Sequence, residues 1–244
     1  MQLSICDLKG GGFIFNRKLQ IGNCKWVFEM MQPQTDRSHY GDEYYERRRL
    51  YSMAVQAEAL RELMPGSVLE IGPGLGVFAA MYRQLSGARV VTLDIDSTLR
   101  PDVIGSVFAL PFADAAFDAG ACFQMLEHLP FERFAPALRE IGRVAKVGMA
   151  LSLPDCSYAL TVRLGIRNPR HDGWTGAWTL VPAALAMRKM KQTPNTAGHY
   201  WEIGRRGTPL AVVRQEIQGA GWRIEKEFRT PEKAYHRIFV LRKE

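Results

Sequence analysis

The sequence predicts an α/β fold, a doubly wound and mostly parallel sheet closed by an antiparallel last strand and carrying one long insertion. Two observations predict it. Between 67 and 155, short apolar strand-like runs alternate with helical runs of about three turns, the pattern of a parallel sheet covered on both faces. Near the end, "RIEKEF" (223–228) and "HRIFVL" (236–241) are strand-like with no room between them for a crossover helix, so they pair antiparallel.

Taken in order, the apolar residues from Tyr44 to Leu63 recur at helical spacing, and Pro65-Gly66 ends that helix. Ser67 to Ile71 is a short apolar strand, and Val77 to Leu85 a helix stopped by Ser86-Gly87. "ARVVTLDID" (88–96) is a second strand and Ala119 to Phe123 a third; Phe131 to Val144 is a helix and 145–155 a further buried strand. The pattern then breaks. Residues 157–198 mix arginines, glycines, prolines and tryptophans without a clean strand, so 157–208 is expected to be an insertion or lid. Order returns with a helix around Pro209 to Gln218 and a turn at "GAGW" (219–222).

Residues 1–30 contain the run Gly10-Gly11-Gly12 and no amphipathic face, and are expected to form a poorly ordered extension. Met31 opens a coherent unit and is a candidate start, which makes 31–244 a single domain. Composition agrees: of 244 residues 47% are hydrophobic and 23% charged, enough for one sizeable core. The net charge of +7 and pI near 9.4 suit an anionic partner, whether phosphorylated metabolite, nucleic acid or acidic lipid surface. Four scattered cysteines, with no Cys-x-x-Cys pair and no histidine cluster at ligand spacing, argue against a disulfide framework or a metal site and for a reduced, cytoplasmic setting. The N-terminus lacks the basic start and unbroken apolar stretch of a secretory signal. The longest later apolar run, 176–187, contains Pro182 and is shorter than the roughly 20 residues that span a bilayer.

The chemistry begins at "VLEIGPGLG" (68–76). Glycines at 72, 74 and 76, between a buried strand and a helix, let backbone approach a ligand closely beside the positive end of the helix dipole. Their spacing is not the Gly-x-Gly-x-x-Gly of a dinucleotide cradle, since position 77 is Val. Glu70, two residues before the first glycine, would repel a pyrophosphate and suits a cationic group instead.

Four pieces in order, "VLEIGPGLG", "VVTLDID" (90–96), "ALPFADAAFD" (109–118) and "FQMLEHL" (123–129), resemble motifs of the class I S-adenosylmethionine (SAM) dependent methyltransferases. The similar subgroup is type 11, which includes enzymes of ubiquinone and menaquinone biosynthesis. The resemblance covers residues 40–155 well and 209–241 in outline. It implies a Rossmann-like seven-stranded sheet and SAM as cofactor, held by Glu70, Gly72, Gly74 and Gly76. Asp94 would take both ribose hydroxyls; its two carboxylate oxygens can meet two vicinal donors, and a helix-capping aspartate is the plainer alternative. Ser106 stands where the family commonly has an acid on the adenine amino group, so its hydroxyl or the backbone at Val107 would substitute. Phe108 and Leu110 fit either the adenine face or plain core. Gln124 lies where the family passes a carbonyl or a side chain beside the methionine portion.

Methyl transfer from a sulfonium has a good neutral leaving group, so the protein must chiefly hold nucleophile and methyl in line. A hydroxyl acceptor gains from a general base, for which His128 and His199 are the candidates. In "GHYWEIGRRG" (198–207), Glu202 is placed to orient the His199 imidazole, with Tyr200 or Trp201 as a wall of the substrate pocket; a structural turn with a buried Trp201 and a histidine bonded to backbone is the plainer alternative. The basic, aromatic stretch 163–191 would suit an anionic membrane surface, or a lipid-linked or phosphorylated acceptor, as well as a merely solvated lid. The expected activity is methylation of a small-molecule, sugar or lipid-linked acceptor, O-methylation ahead of C or N. Two alternatives stand beside it. An RNA methyltransferase would use the positive charge, but no RNA-binding module is evident; a catalytically silent partner protein would not need the intact loop and Asp94.

Overall fold

The computed structural model describes residues 46–157, 160–163, 177–180 and 198–244. The expected extension 1–30, the candidate start Met31 and most of the basic insertion lie outside the described residues. Helix α1 (Arg47–Arg61) buries Ser52, Val55, Gln56, Ala59 and Leu60, one stripe at i, i+3, i+4 spacing. A turn with Met64 at φ 48° leads into β1 (Ser67–Ile71), buried from Val68 onward. Helix α2 (Val77–Ser86) follows the glycine loop and is closed by Gly87, left-handed at φ 69°. Then come β2 (Arg89–Asp94), β3 (Val103–Ile104), β4 (Phe117–Phe123), α3 (Phe134–Val144) and β5 (Ala145–Pro154). Strands β6 (Leu160–Arg163) and β7 (Ala177–Leu180) pair with each other, and α4 (Leu210–Gly219), β8 (Trp222–Arg229) and β9 (His236–Lys243) complete the chain.

The main sheet has seven strands in the order β3-β2-β1-β4-β5-β9-β8. The first five are parallel and β9 runs antiparallel to both β5 and β8, as the missing crossover helix requires. Successive residues of each strand face opposite layers. Val68, Ala119, Ala150 and Val240 point to the face covered by α1 and α2. Leu69, Gly120, Met149 and Leu241 belong to the other, where α3 and α4 supply Leu138, Ile141, Val213 and Ile217. Trp222 locks that layer, its indole N–H donating to Leu138 O at 3.0 Å beside Gly142, where a Cβ would stand 3.2 Å from the indole ring.

Two parts of the sheet system depart from the sequence expectation. The stretch with no clean strand contains the β6–β7 pair, and β3 is a two-residue edge strand. Neither has enough apolar alternation to be seen as a strand; each exists through its pairing partner. Chain order along the sheet reverses between β1 and β4, so their carboxyl ends open a crevice, the usual ligand position in such sheets. Among the described residues no helix is long and apolar enough to cross a membrane.

Candidate active site

A cavity of about 390 Å³ lies at that crevice. One end is walled by the glycine loop, Asp94 and 105–108, the other by His128, His199, Tyr235 and His236, with Gln124 between.

The glycine loop is shaped by close approach. At Gly72, φ is 70° and an added Cβ would stand 2.5 Å from Met125 Cγ, so the missing side chain makes room for Met125 beneath the loop. Gly74 is also left-handed and lies in the wall. Gly76 lies behind the loop, not in the wall: it caps α2 at φ 72°, and the wall there is Leu75 and Val77. Its left-handed conformation starts the helix that follows the loop.

Glu70 is 3% exposed, and its Oε2 has no hydrogen-bond partner among the described residues. Burial pushes its carboxyl up to about 8, Arg83 opposing and Asp102 reinforcing. A buried acid with an unanswered oxygen in a cavity wall fits a cationic ligand group. Asp94 ends β2 with Oδ1 accepting from Asp96 N at 3.0 Å. Burial raises its pKa, while the backbone N–H groups of Asp96 and Ile95 pull it down. The capping role open to Asp94 belongs to Asp96, which accepts from Thr98 N at 2.8 Å. Ser106 Oγ accepts from Phe108 N at 3.3 Å, and Ser106, Val107 and Phe108 all line the cavity; Leu110 is core.

Gln124 sits at the end of β4 in the left-handed region, φ 53°, a conformation that costs a non-glycine residue and is often found at functional sites. Its Nε2 donates to Ser152 Oγ at 3.2 Å, as does Gln56 Nε2 from α1, so one buried hydroxyl ties helix, β4 end and β5 together.

At the other end, the 198–201 segment is strapped to residues 127–129. Tyr200 N donates to Glu127 O at 2.8 Å and Trp201 Nε1 to Leu129 O at 3.1 Å. His128 Nδ1 lies 3.2 Å from Gly198 O; a carbonyl only accepts, so Nδ1 carries the proton. The His128 and His199 rings meet edge to face, 4.9 Å between centroids. His199 Nδ1 is 3.1 Å from Glu202 Oε1, which also accepts from Tyr235 OH at 2.8 Å, while Arg205 donates to Oε2 at 3.2 Å. Burial alone would raise the Glu202 carboxyl, but the hydrogen bonds from His199 and Tyr235 and the charge of Arg205 bring it down to about 2. An ionised carboxylate accepts only, so His199 donates through Nδ1 and its Nε2 is the basic nitrogen.

Glu202 is 3% exposed and stands behind His199, outside the cavity wall. Trp201 is also 3% exposed and packs on Phe131 and Phe134, with ring centroids 4.9 and 5.0 Å away. Neither Trp201 nor Tyr200 lines the cavity. Trp201, one of the two aromatics expected at the substrate pocket, thus anchors the His199 loop in the core, because an indole this large is better satisfied by two phenylalanines and a carbonyl than by a wet pocket.

Tyr235 and His236 supply the wall instead, and the sequence reading missed both. Burial and the Glu202 charge push the Tyr235 phenol up, and burial with Lys233, Arg49 and His199 pushes His236 down to about 3. One signal could have found them: the first residues of an antiparallel last strand lie beside the carboxyl ends of its parallel neighbours. The fold also assembles a group that spacing does not show. Ligand atoms of Glu127, His128 and His199 lie within 4.8 Å of one another.

The sheet order and this crevice are those of a Rossmann-like α/β fold closed by antiparallel last strands. Residues 69–153 match the family model described as a methyltransferase domain. No curated protein sequence matches the chain. Among solved structures, it is similar to 1,6-didemethyltoxoflavin-N1-methyltransferase of Burkholderia thailandensis, with bound 1,6-didemethyltoxoflavin and S-adenosylhomocysteine (16% identity, 93% of each chain, TM-score 0.54). It is likewise similar to magnesium protoporphyrin IX methyltransferase of Synechocystis PCC 6803 with bound SAM (15% identity, 90% of this chain and 92% of that one, TM-score 0.53). A third is human N-acetylserotonin methyltransferase in complex with SAM (15% identity, 80% of this chain and 53% of that one, TM-score 0.51). At these identities the likeness shows the fold.

Proposed function

We propose that this enzyme methylates a hydroxyl or phenol oxygen of a small-molecule acceptor. The observation that carries the reading is the continuity of one cavity from the glycine loop and Asp94 to a buried imidazole held by an ionised carboxylate. At the loop end, Glu70 would meet the cationic methionine portion, Gly72 and Gly74 would leave room for the cofactor, and Asp94 would receive the ribose hydroxyls. Ser106 and Val107 flank the adenine, and Gln124, fixed through Ser152, borders the methionine portion. SAM supplies an activated methyl group on a positively charged sulfur.

The protein's remaining task is the acceptor. His199, oriented by Glu202 and Tyr235, takes the proton of the acceptor hydroxyl at Nε2, and His128 forms the adjoining wall. The neighbours named above act on a toxoflavin precursor, a porphyrin and N-acetylserotonin, which supports a small aromatic or conjugated acceptor. The test is incubation with methyl-labelled SAM and a panel of phenols, alcohols and amines, read by mass spectrometry. Label on an oxygen is the expected result; label confined to amine nitrogens would overturn the oxygen assignment.

A further inference from the structure

Among the described residues, Glu127 is the one buried acid with both carboxylate oxygens unanswered. It is fully buried, it lies in the cavity wall, and neither carboxylate oxygen has a hydrogen-bond partner among the described residues. Leaving even one such oxygen unanswered is costly, and an acid bearing two of them calls for a missing partner. The two imidazoles beside it identify that partner's chemistry. His128 gives its Nδ1 proton to Gly198 O and His199 its Nδ1 proton to Glu202, so in each ring the nitrogen that carries the lone pair is Nε2. One ligand atom from each of the three residues, a ring nitrogen of either histidine and a carboxylate oxygen, lies within 4.8 Å of the other two.

We propose that Glu127, His128 and His199 bind a divalent transition-metal ion of the zinc type at the acceptor end of the cavity. Two imidazoles and one carboxylate are a borderline donor set, suited to Zn²⁺, Co²⁺ or Mn²⁺ rather than to Mg²⁺ or Ca²⁺, which prefer all-oxygen shells. Three protein donors leave a coordination position for an acceptor oxygen, as in catalytic rather than structural zinc sites. Bonds of about 2.0–2.2 Å place tetrahedral ligands about 3.4 Å apart, so the group closes by at most about 1.4 Å on loading. The outer shell is already built: Glu202 on His199 and the Gly198 carbonyl on His128 are the partners that fix ligand tautomers, and Tyr235 and Arg205 hold Glu202.

The catalytic consequence rests on the proposed function of this cavity and changes how His199 serves. A coordinated acceptor hydroxyl loses its proton to water, its oxygen forms the bond to the methyl carbon, and the C–S bond breaks to leave a neutral thioether. His199 then acts as a ligand, not as the base.

The test uses untagged, chelator-stripped full-length protein titrated with Zn²⁺ by calorimetry and with Co²⁺ by visible absorption. Uptake of one ion per chain is expected. Glu202→Gln should weaken uptake by about 10- to 100-fold, and Glu127→Gln and His199→Gln by more. Circular dichroism and cooperative thermal unfolding of each variant separate a lost site from a lost fold; Glu127→Gln keeps the size and shape of a buried acid and is expected to remain folded. Absence of uptake above that of Glu127→Gln would overturn the site, and undiminished methyl transfer by the stripped enzyme would overturn its catalytic use. Zn²⁺ uptake by a protein that transfers no methyl group would support the site and count only against the proposed function.

Discussion

Cofactor affinity should depend steeply on pH through Glu70. With its carboxyl at about 8 in the empty cavity, Glu70 is mostly protonated at neutral pH and cannot attract an ammonium. The binding-competent, ionised fraction is about 1% at pH 6, 9% at pH 7 and 50% at pH 8, and apparent affinity scales with that fraction. S-adenosylhomocysteine, which carries the same ammonium, should therefore bind about 50-fold tighter at pH 8 than at pH 6, and its binding at pH 7 should release close to one proton. Calorimetry in buffers of different ionisation enthalpy measures both quantities. Glu70→Gln should flatten the profile.

The same shift has a stability consequence. Because the native carboxyl titrates above its unfolded value of 4.5, the native state holds a proton that the unfolded chain has lost. Stability of the empty protein thus falls as pH rises from about 4.5 to about 8 and levels off above, by at most about 5 kcal/mol from this group. Glu70→Gln should escape that loss and be the more stable protein at pH 8. An affinity that is flat from pH 6 to pH 8 in the unsubstituted protein would refute the reasoning, since it would mean that Glu70 is already ionised or meets no cation.

Three further outcomes are expected. Asp94→Ala removes the acceptor for two hydroxyl donors and should weaken S-adenosylhomocysteine by about 2 to 4 kcal/mol in calorimetry, with the fold kept by Asp96 at the adjoining cap. His199→Ala should lower turnover about 100-fold or more with cofactor affinity preserved, whereas unchanged turnover would remove the imidazole from the chemistry. Trp201→Ala should cost about 3 to 5 kcal/mol in denaturant unfolding, since the indole fills core against Phe131 and Phe134; full stability with an altered acceptor KM would instead put it in the pocket.

Which parts of this were readable in the chain follows from how far apart the cooperating residues lie. The parallel strands and their helices are local facts: Ser67–Ile71 is an apolar run bounded by Pro65-Gly66 and Gly72, and burial on both faces makes such a run unmistakable. The loop half of the cavity is equally local, since Glu70, Gly72 and Gly74 are consecutive chain and Asp94 ends the next strand. The acceptor half is not. Glu127, His199 and Tyr235 come from three segments whose only common property is that their strands or turns finish at one end of the sheet. A lone carboxylate at 127 looks like a helix-turn residue until Tyr200 N is found on its carbonyl at 2.8 Å. Trp201 was misleading for the same reason: an aromatic beside a histidine reads as pocket or as core alike, and only the position of Phe131 and Phe134 decides. Residues that touch ligand from loops gain their meaning from what the scaffold brings opposite them, so motif spacing identifies a cofactor loop while the acceptor end is a property of topology.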